Sequence, residues 1–280
     1  MTYKLIYSNN STLVDLSVKI KTHQEDEATL PIVASEDYLY IGSRYPFNSI
    51  YFKFKTANTN TTTVSVSYWE GNEWTNAVEV IDETNGFKND GYVTFVPDKN
   101  ESSWLREDTV QGDGNSEEVQ GLGTLVIYDH YWLRLKFSND LSATTSLNWI
   151  GDLFCSDEDM YSEYPIFNSS NLKLAYKAGK TDWENQRIRA SDLVISDLVT
   201  RNIIEDSGQL LDKDKLKLAT VSRTAQIIFN ALGDDYVDDT LKAKKEYGER
   251  VRENMLSVDK NANARLDVLE RRARQGFITR

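Results

Sequence analysis

The sequence predicts an α+β protein, in which an N-terminal antiparallel β-sandwich domain is followed by a C-terminal α-helical bundle. Residues 36–154 alternate between apolar and polar side chains with the period of two that is typical of β-strands. Residues 182–256 instead carry apolar side chains at helical spacing, in three blocks. The charge is divided as well: residues 1–180 hold 14 basic and 26 acidic side chains, whereas residues 181–280 hold 18 of each. Together these observations predict two modules.

The sandwich domain is placed at residues 1–160, where Ile50, Phe52 and Phe54 illustrate the alternation, with Tyr51 and Lys53 on the opposite face. Turn-forming dipeptides separate such runs, and they predict about seven to nine antiparallel strands. The linker is placed at residues 161–181, because this stretch contains a polar cluster and a glycine before the helical pattern begins.

Five tryptophans fall in the sandwich domain, at Trp69, Trp74, Trp104, Trp132 and Trp149. Large aromatic rings fill a core efficiently, and we favour a position between the two sheets. The alternative is a platform on which sugar rings stack, which would make the chain a glycan-binding β-sandwich module on a helical oligomerisation stem.

The order of four segments in this domain resembles a β-domain that recurs in structural proteins of tailed-phage particles; the segments are Tyr68–Trp74, Val80–Phe87, Gly91–Phe95 and Tyr131–Leu135. The resemblance implies an assembly module.

The helical module is placed at residues 182–257. The first helix is predicted from Thr181 or Asp182 to Ile204, with Thr181 as the N-cap. The second follows Asp212 and ends at Gly233, and the third begins near Asp238. The apolar stripe of the third helix is sparse, and it is predicted to consist of Leu241, Tyr247, Val251 and Leu256.

The segments Ala190–Ile204 and Leu216–Ile228, followed by Tyr247 and the loop Asp259–Asp267, resemble in pattern and order the head–tail connector (adaptor) family of tailed phages. The resemblance implies a virion neck protein, made in the host cytoplasm, that forms a homo-oligomeric ring, often a dodecamer. Such a ring docks on the portal protein, meets tail or stopper proteins, and extends a channel through which DNA passes without sequence-specific binding. The smallest members of this family lack a large β-domain ahead of the helices.

The last segment, residues 258–280, contains a polar loop and a basic arm. Oxygen-rich side chains recur in the loop at the spacing of an EF-hand, which predicts a Ca²⁺ site, although Ala264 stands where glycine normally allows the sharp turn. The candidate ligands are Asp259, Asn261, Asn263, Arg265 (through its carbonyl), Asp267 and Glu270. The other interpretation is a polar turn without metal.

The arm carries four arginines and two apolar residues, and the resemblance favours a docking arm that inserts between portal subunits. Its candidate docking residues are Arg271, Arg272, Arg274, Phe277, Ile278 and Arg280.

Catalytic chemistry is not indicated by the sequence, and we expect a protein that is not an enzyme. His23 and His130 have no partner at a catalytic spacing, and the single cysteine, Cys155, lacks the surroundings of an activated thiolate. No run of 18 apolar residues is present, which predicts no membrane span.

Overall fold

The computed structural model describes residues 3–10, 12–21, 27–70, 73–97, 104, 106–107, 130–253, 256–260 and 264. The chain divides into two compact units. The first contains the described residues up to Gly151 together with those of the short segment 259–265, and the second contains Asp152–Val258. The division falls earlier than the predicted boundary at residue 160, and the chain returns to the first unit after the helices.

The first unit contains two antiparallel sheets, and the second contains helices, which confirms the predicted α+β class. The described strands are β1 (Lys4–Asn9), β2 (Thr12–Asp15), β3 (Ala28–Thr29), β4 (Tyr38–Ser43), β5 (Ser49–Thr56), β6 (Val64–Trp69), β7 (Trp74–Asn76), β8 (Val78–Asp82), β9 (Gly91–Val96), β10 (Arg106–Glu107), β11 (His130–Phe137) and β12 (Ser146–Gly151). One sheet has the order β2-β1-β4-β11-β6-β7, with β10 beside β11, and the other has the order β3-β12-β5-β9-β8.

The core of the sandwich is formed by the side chains that alternate inward from both sheets. The predicted faces of β5 are confirmed, because Ile50, Phe52 and Phe54 are buried while Tyr51 and Lys53 are half-buried. The aromatic rings of this core meet at offset or edge-on angles, which suits their quadrupoles.

Four of the five tryptophans of this unit are buried, but only Trp104 lies in the core between the sheets. Trp69 and Trp132 form a second apolar cluster with Ile6 and Tyr40 on the outer face of the β4–β11–β6 sheet. A Cβ atom at Gly42 would lie 2.7 Å from the Trp132 ring, so glycine leaves the space that this ring occupies. The prediction that the tryptophans bridge the two sheets therefore holds for Trp104 and is wrong for the other four, since Trp74 packs against the outer cluster and Trp149 packs against Tyr51.

The helices of the second unit are α1 (Asp157–Glu163), α2 (Ser170–Tyr176), α3 (Glu184–Thr200), α4 (Lys217–Leu232) and α5 (Val237–Glu253). The last three correspond to the predicted helices. Gly233, with φ of 92°, ends α4 where glycine was expected. The start of α3 differs, because Trp183 rather than Thr181 occupies the N-cap position and Asp182 accepts the Glu184 N–H at 3.0 Å.

Residues 161–181, predicted as a linker, contain the end of α1, a 3₁₀ turn at Pro165–Asn168 and the whole of α2. Ser156 caps α1 reciprocally with Asp159, and Ser169 caps α2 through the Leu172 N–H. Phe167 and Leu172 are buried in the core of the helical unit. The short helices are therefore packed elements of this unit and do not form a linker.

Candidate assembly surfaces

The predicted docking arm lies outside the described residues. This holds for Arg271, Arg272, Arg274, Phe277, Ile278 and Arg280. Its assignment rests on the sequence and on the resemblance to connector proteins, and it stays a prediction.

The predicted calcium loop is described only at Asp259, Lys260 and Ala264, while Asn261, Asn263, Arg265, Asp267 and Glu270 lie outside the described residues. Asp259 Oδ2 accepts the backbone N–H of Ala264 at 2.6 Å, and both residues are buried. Ala264 has φ of 56°, so an alanine makes the left-handed turn that glycine would normally make. Its methyl group belongs to the core of the sandwich. No group of three metal-ligating side chains occurs among the described residues.

This geometry gives the segment after α5 an anchoring position that the sequence did not reveal. A buried carboxylate that accepts a backbone N–H five residues later closes a tight turn, and the turn inserts one methyl group into the core of the first unit. The arm, whose first residue is Arg271, therefore begins shortly after an anchored turn. The only sequence signal for this anchor was the acidic residue at the start of the loop.

The exposed apolar side chains of the helical unit mark a candidate contact surface. On α5, Tyr247 and Val251 are buried, as predicted, and Ala243 is buried beside them. Leu241 was assigned to the same stripe, but it is 58 % exposed. Val237, one helical turn earlier, is 49 % exposed, so these two residues form a separate apolar line on the helix surface.

Helix α5 is held firmly against its neighbours. Arg250 pairs with Glu163 of α1 at 2.6 Å and donates to the carbonyl of Leu218 in α4 at 2.9 Å. Tyr247 donates its hydroxyl to Asp197 of α3 at 2.5 Å, and burial together with this bond raises the pKa of the phenol above its ordinary value. A surface carried by α5 is therefore presented on a fixed support.

A buried ion pair links the segment before α1 to the segment between α3 and α4. Lys213 Nζ lies 2.5 Å from Asp152 Oδ1, and Ser207 donates its hydroxyl to the other oxygen of this carboxylate at 2.6 Å. A second pair joins Arg187 to Asp157 at 2.8 Å, and the same guanidinium donates to the Cys155 carbonyl at 2.7 Å. Hydrogen bonds thus accompany both pairs, as burial of charge requires.

The described residues show no activated nucleophile at Cys155. Its side chain is buried, and burial raises the pKa of the thiol to about 12. His130 packs against the Trp132 ring at a centroid distance of 5.9 Å. A buried thiol with a raised pKa is largely protonated at neutral pH, so Cys155 is a poor nucleophile in the folded protein.

A wide groove of about 810 Å³ opens at one end of the sandwich, between Val33–Ser35, Asn60 and Lys136–Asp140. Several of its polar side chains bond to neighbouring loops of the sandwich. Asn60 donates to the Asp140 carbonyl at 3.0 Å, and Asn139 donates to the Thr61 carbonyl at 2.9 Å. These bonds hold neighbouring loops together, and they leave fewer donors to recognise a small molecule.

The glycan-binding alternative requires exposed tryptophans, and the structure does not supply a platform of them. Trp69, Trp104, Trp132 and Trp149 are at most 7 % exposed. Trp74 is half-buried, and its ring packs against Tyr40, Trp69 and the guanidinium of Arg134.

No protein-family model and no curated protein matches this sequence. In the part of the chain that the structure describes, no helix is both long enough and apolar enough to cross a membrane.

Proposed function

We propose that this chain is a structural protein of a tailed-phage particle, a head-to-tail connector (adaptor) that forms an oligomeric ring on the portal protein. The proposal is supported by the resemblance of the α3–α4 region to that family. The single structural observation that favours it is the exposed apolar line of Val237 and Leu241 on α5. Scattered exposed apolar residues are ordinary, but two in line on a firmly held helix favour a protein contact.

In this function the helical unit contacts neighbouring copies, and the arm at residues 271–280 grips the portal. Arginine suits this task because its planar guanidinium binds carboxylates in two-point contacts, while Phe277 and Ile278 supply apolar anchors. The excess of acidic side chains in residues 1–180 suits a channel wall that DNA passes without adhering, because like charges repel. Tail or stopper proteins would contact the side of the ring away from the portal.

The test is native mass spectrometry of the purified protein alone and mixed with the portal protein of the same particle. We expect a ring, or a complex with the portal of fixed stoichiometry. A protein that leaves the portal unbound at every concentration would contradict the proposal.

Two variants locate the contacts. Truncation after Glu270 removes the arm and should abolish portal association, while Leu241→Asp should weaken the ring by placing a charge on the α5 line. Leu174→Asp is the matched control, because Leu174 is 63 % exposed on α2 and lies outside the proposed contacts.

A further inference from the structure

Among the described strands, β2 and β7 are the edges of one sheet, and β3 and β8 are the edges of the other. In the described part of the chain, β2 pairs only with β1 and β8 pairs only with β9, so each has one side without a neighbouring strand. Sheet edges present unpaired backbone groups, and proteins either protect them or use them for association.

The β2 and β8 edges lie on opposite sides of the sandwich. Strand β7 is the edge of one sheet and β8 is the edge of the other, and the chain passes directly from β7 into β8 through Ala77. The β7 and β8 edges therefore lie on the same side of the sandwich. On the other side, Tyr7 of β1 donates its hydroxyl to the carbonyl of Pro31, shortly after β3. The edge at β2 therefore lies beside β3, across the sandwich from β8. A surface on each of two opposite sides is the arrangement that head-to-tail association requires.

Both edges expose apolar side chains. Ile81 is 60 % exposed and Val78 is 38 % exposed on β8. Val14 on β2 is 41 % exposed, and Val18 in the turn that follows it is 70 % exposed. Edge strands of monomeric proteins more often carry charged residues at such positions, so these side chains favour contact with a partner.

The charges of the two edges are complementary. Glu79 is exposed on β8, and Glu83, which directly follows this strand, is exposed and accepts the Tyr92 N–H at 3.2 Å. Lys19 and Lys21 are exposed after β2, and the acid of that edge, Asp15, already accepts the Ser17 N–H at 2.8 Å. Opposite charges favour contact between the two edges, and like charges disfavour contact of either edge with itself. The occupant of each edge that these observations favour is therefore the opposite edge of another copy.

We infer that the β8 edge of one sandwich docks on the β2 edge of the next copy, so that the β-units form a head-to-tail series. The contact consists mainly of the four apolar side chains, flanked by glutamate–lysine pairs. Backbone pairing is confined to the end of β8 at Ile81 and Asp82, because a bulge with Glu79 at φ of 52° interrupts the strand before them. A head-to-tail contact gives a ring when its rotation closes, and in this respect the inference rests on the proposed connector function.

The test uses Ile81→Lys and Val14→Glu. The first places a positive charge opposite the lysines of the partner's β2 edge, and the second places a negative charge opposite the glutamates of the partner's β8 edge. The mass of each full-length variant is measured by native mass spectrometry and by sedimentation over a range of concentrations. Each variant alone should self-associate more weakly than the unchanged protein by at least about tenfold. Circular dichroism and thermal unfolding verify that both are folded, and Leu174→Lys is the control for an exposed apolar residue away from the edges.

A mixture of the two variants separates this contact from a symmetric one. The β2 edge of the Ile81→Lys variant and the β8 edge of the Val14→Glu variant are both unchanged, so the mixture should regain association with a 1:1 composition. Association of either variant at the level of the unchanged protein, a mixture that stays monomeric, or an unchanged protein that is itself monomeric throughout would overturn the inference.

Portal association is measured on the same variants, so that the two proposals fail separately. Head-to-tail oligomers that never bind the portal would refute the connector function and leave the edge contact standing. Portal association by both edge variants, together with self-association as strong as that of the unchanged protein, would refute the edge contact and leave the connector function standing.

Discussion

Truncation at two positions should separate the docking arm from the segment that anchors it. A chain that ends at Glu270 lacks the arm but keeps the turn at Asp259–Ala264, whereas a chain that ends at Val258 lacks both. We expect both truncations to lose portal association, but only the shorter chain to lose stability in the sandwich. The physical reason is that Ala264 lies in the core of the first unit, and Asp259 closes the turn that places it there.

The magnitude follows from three contributions. Burial of the Ala264 methyl group contributes about 1 kcal/mol. The hydrogen bond between the Asp259 carboxylate and the Ala264 N–H contributes about 1.5–3 kcal/mol, because one partner is charged. The left-handed conformation of Ala264 costs about 1–2 kcal/mol, which its removal relieves. The chain that ends at Val258 should therefore be less stable by about 0.5–3 kcal/mol in its free energy of unfolding.

The assay is urea unfolding combined with hydrogen exchange measured by mass spectrometry, which assigns the loss of protection to peptides of the sandwich or of the helices. The chain that ends at Glu270 should match the full-length protein within about 0.5 kcal/mol. Equal stability of the two truncated chains would refute the anchoring role of Ala264. Full portal binding by the chain that ends at Glu270 would refute the docking arm.

The remaining predictions concern the helical unit. Lys213→Met leaves the buried Asp152 carboxylate without its cation and should lower the free energy of unfolding by about 3–5 kcal/mol in urea titrations, and full stability would show that the pair is unimportant. Cys155 should react with a thiol-specific disulfide reagent at pH 8 only as fast as the unit opens, so urea should accelerate the reaction strongly. Partial burial opposes a lowered pKa at Asp159, but hydrogen bonds from Ser156 and the charge of Lys217 outweigh it. The resulting stability is present above the ordinary carboxyl pKa of about 3.9 and is lost as the pH falls below it, so Asp159→Asn should flatten the acid limb of the curve of stability against pH.

The elements that the sequence predicted correctly are those whose pattern is local and long. The alternation at Ile50–Phe54 and the helical spacing of Ile188, Ile195 and Leu198 in α3 each extend over several turns or pleats, and these apolar residues are buried as expected. Val199, which the same spacing placed on this face, is 37 % exposed. The short helices α1 and α2 could not be placed from periodicity, because seven residues hold too few apolar positions to establish a period; for α1, Ser156 or Asp157 was a candidate cap of a short helix, and α2 was missed. Their caps, Ser156 and Ser169, were the usable signal.

Other features depend on packing that periodicity does not encode. The alternation of apolar and polar residues is the same in an edge strand and in a central strand. The positions of β2 and β8 at sheet edges are therefore known only from the strand pairing in the structure. Ala264 belongs to a polar stretch, and a single methyl group gives no pattern that would predict its burial in the sandwich.

The error at Leu241 is the most informative, because simple helix geometry explains it. An α-helix advances about 100° per residue, so Ala243, Tyr247 and Val251 follow one line along α5. Leu241 and Val237 follow another line, and Leu241, two residues before Ala243, lies about 160° from it around the helix axis. A helix that packs against its own protein on one side requires only the first line of apolar residues. The second line then exposes apolar surface to water, which is unfavourable in free energy. The second line is explained if α5 also packs against another molecule, and this is the contact that Leu241→Asp tests.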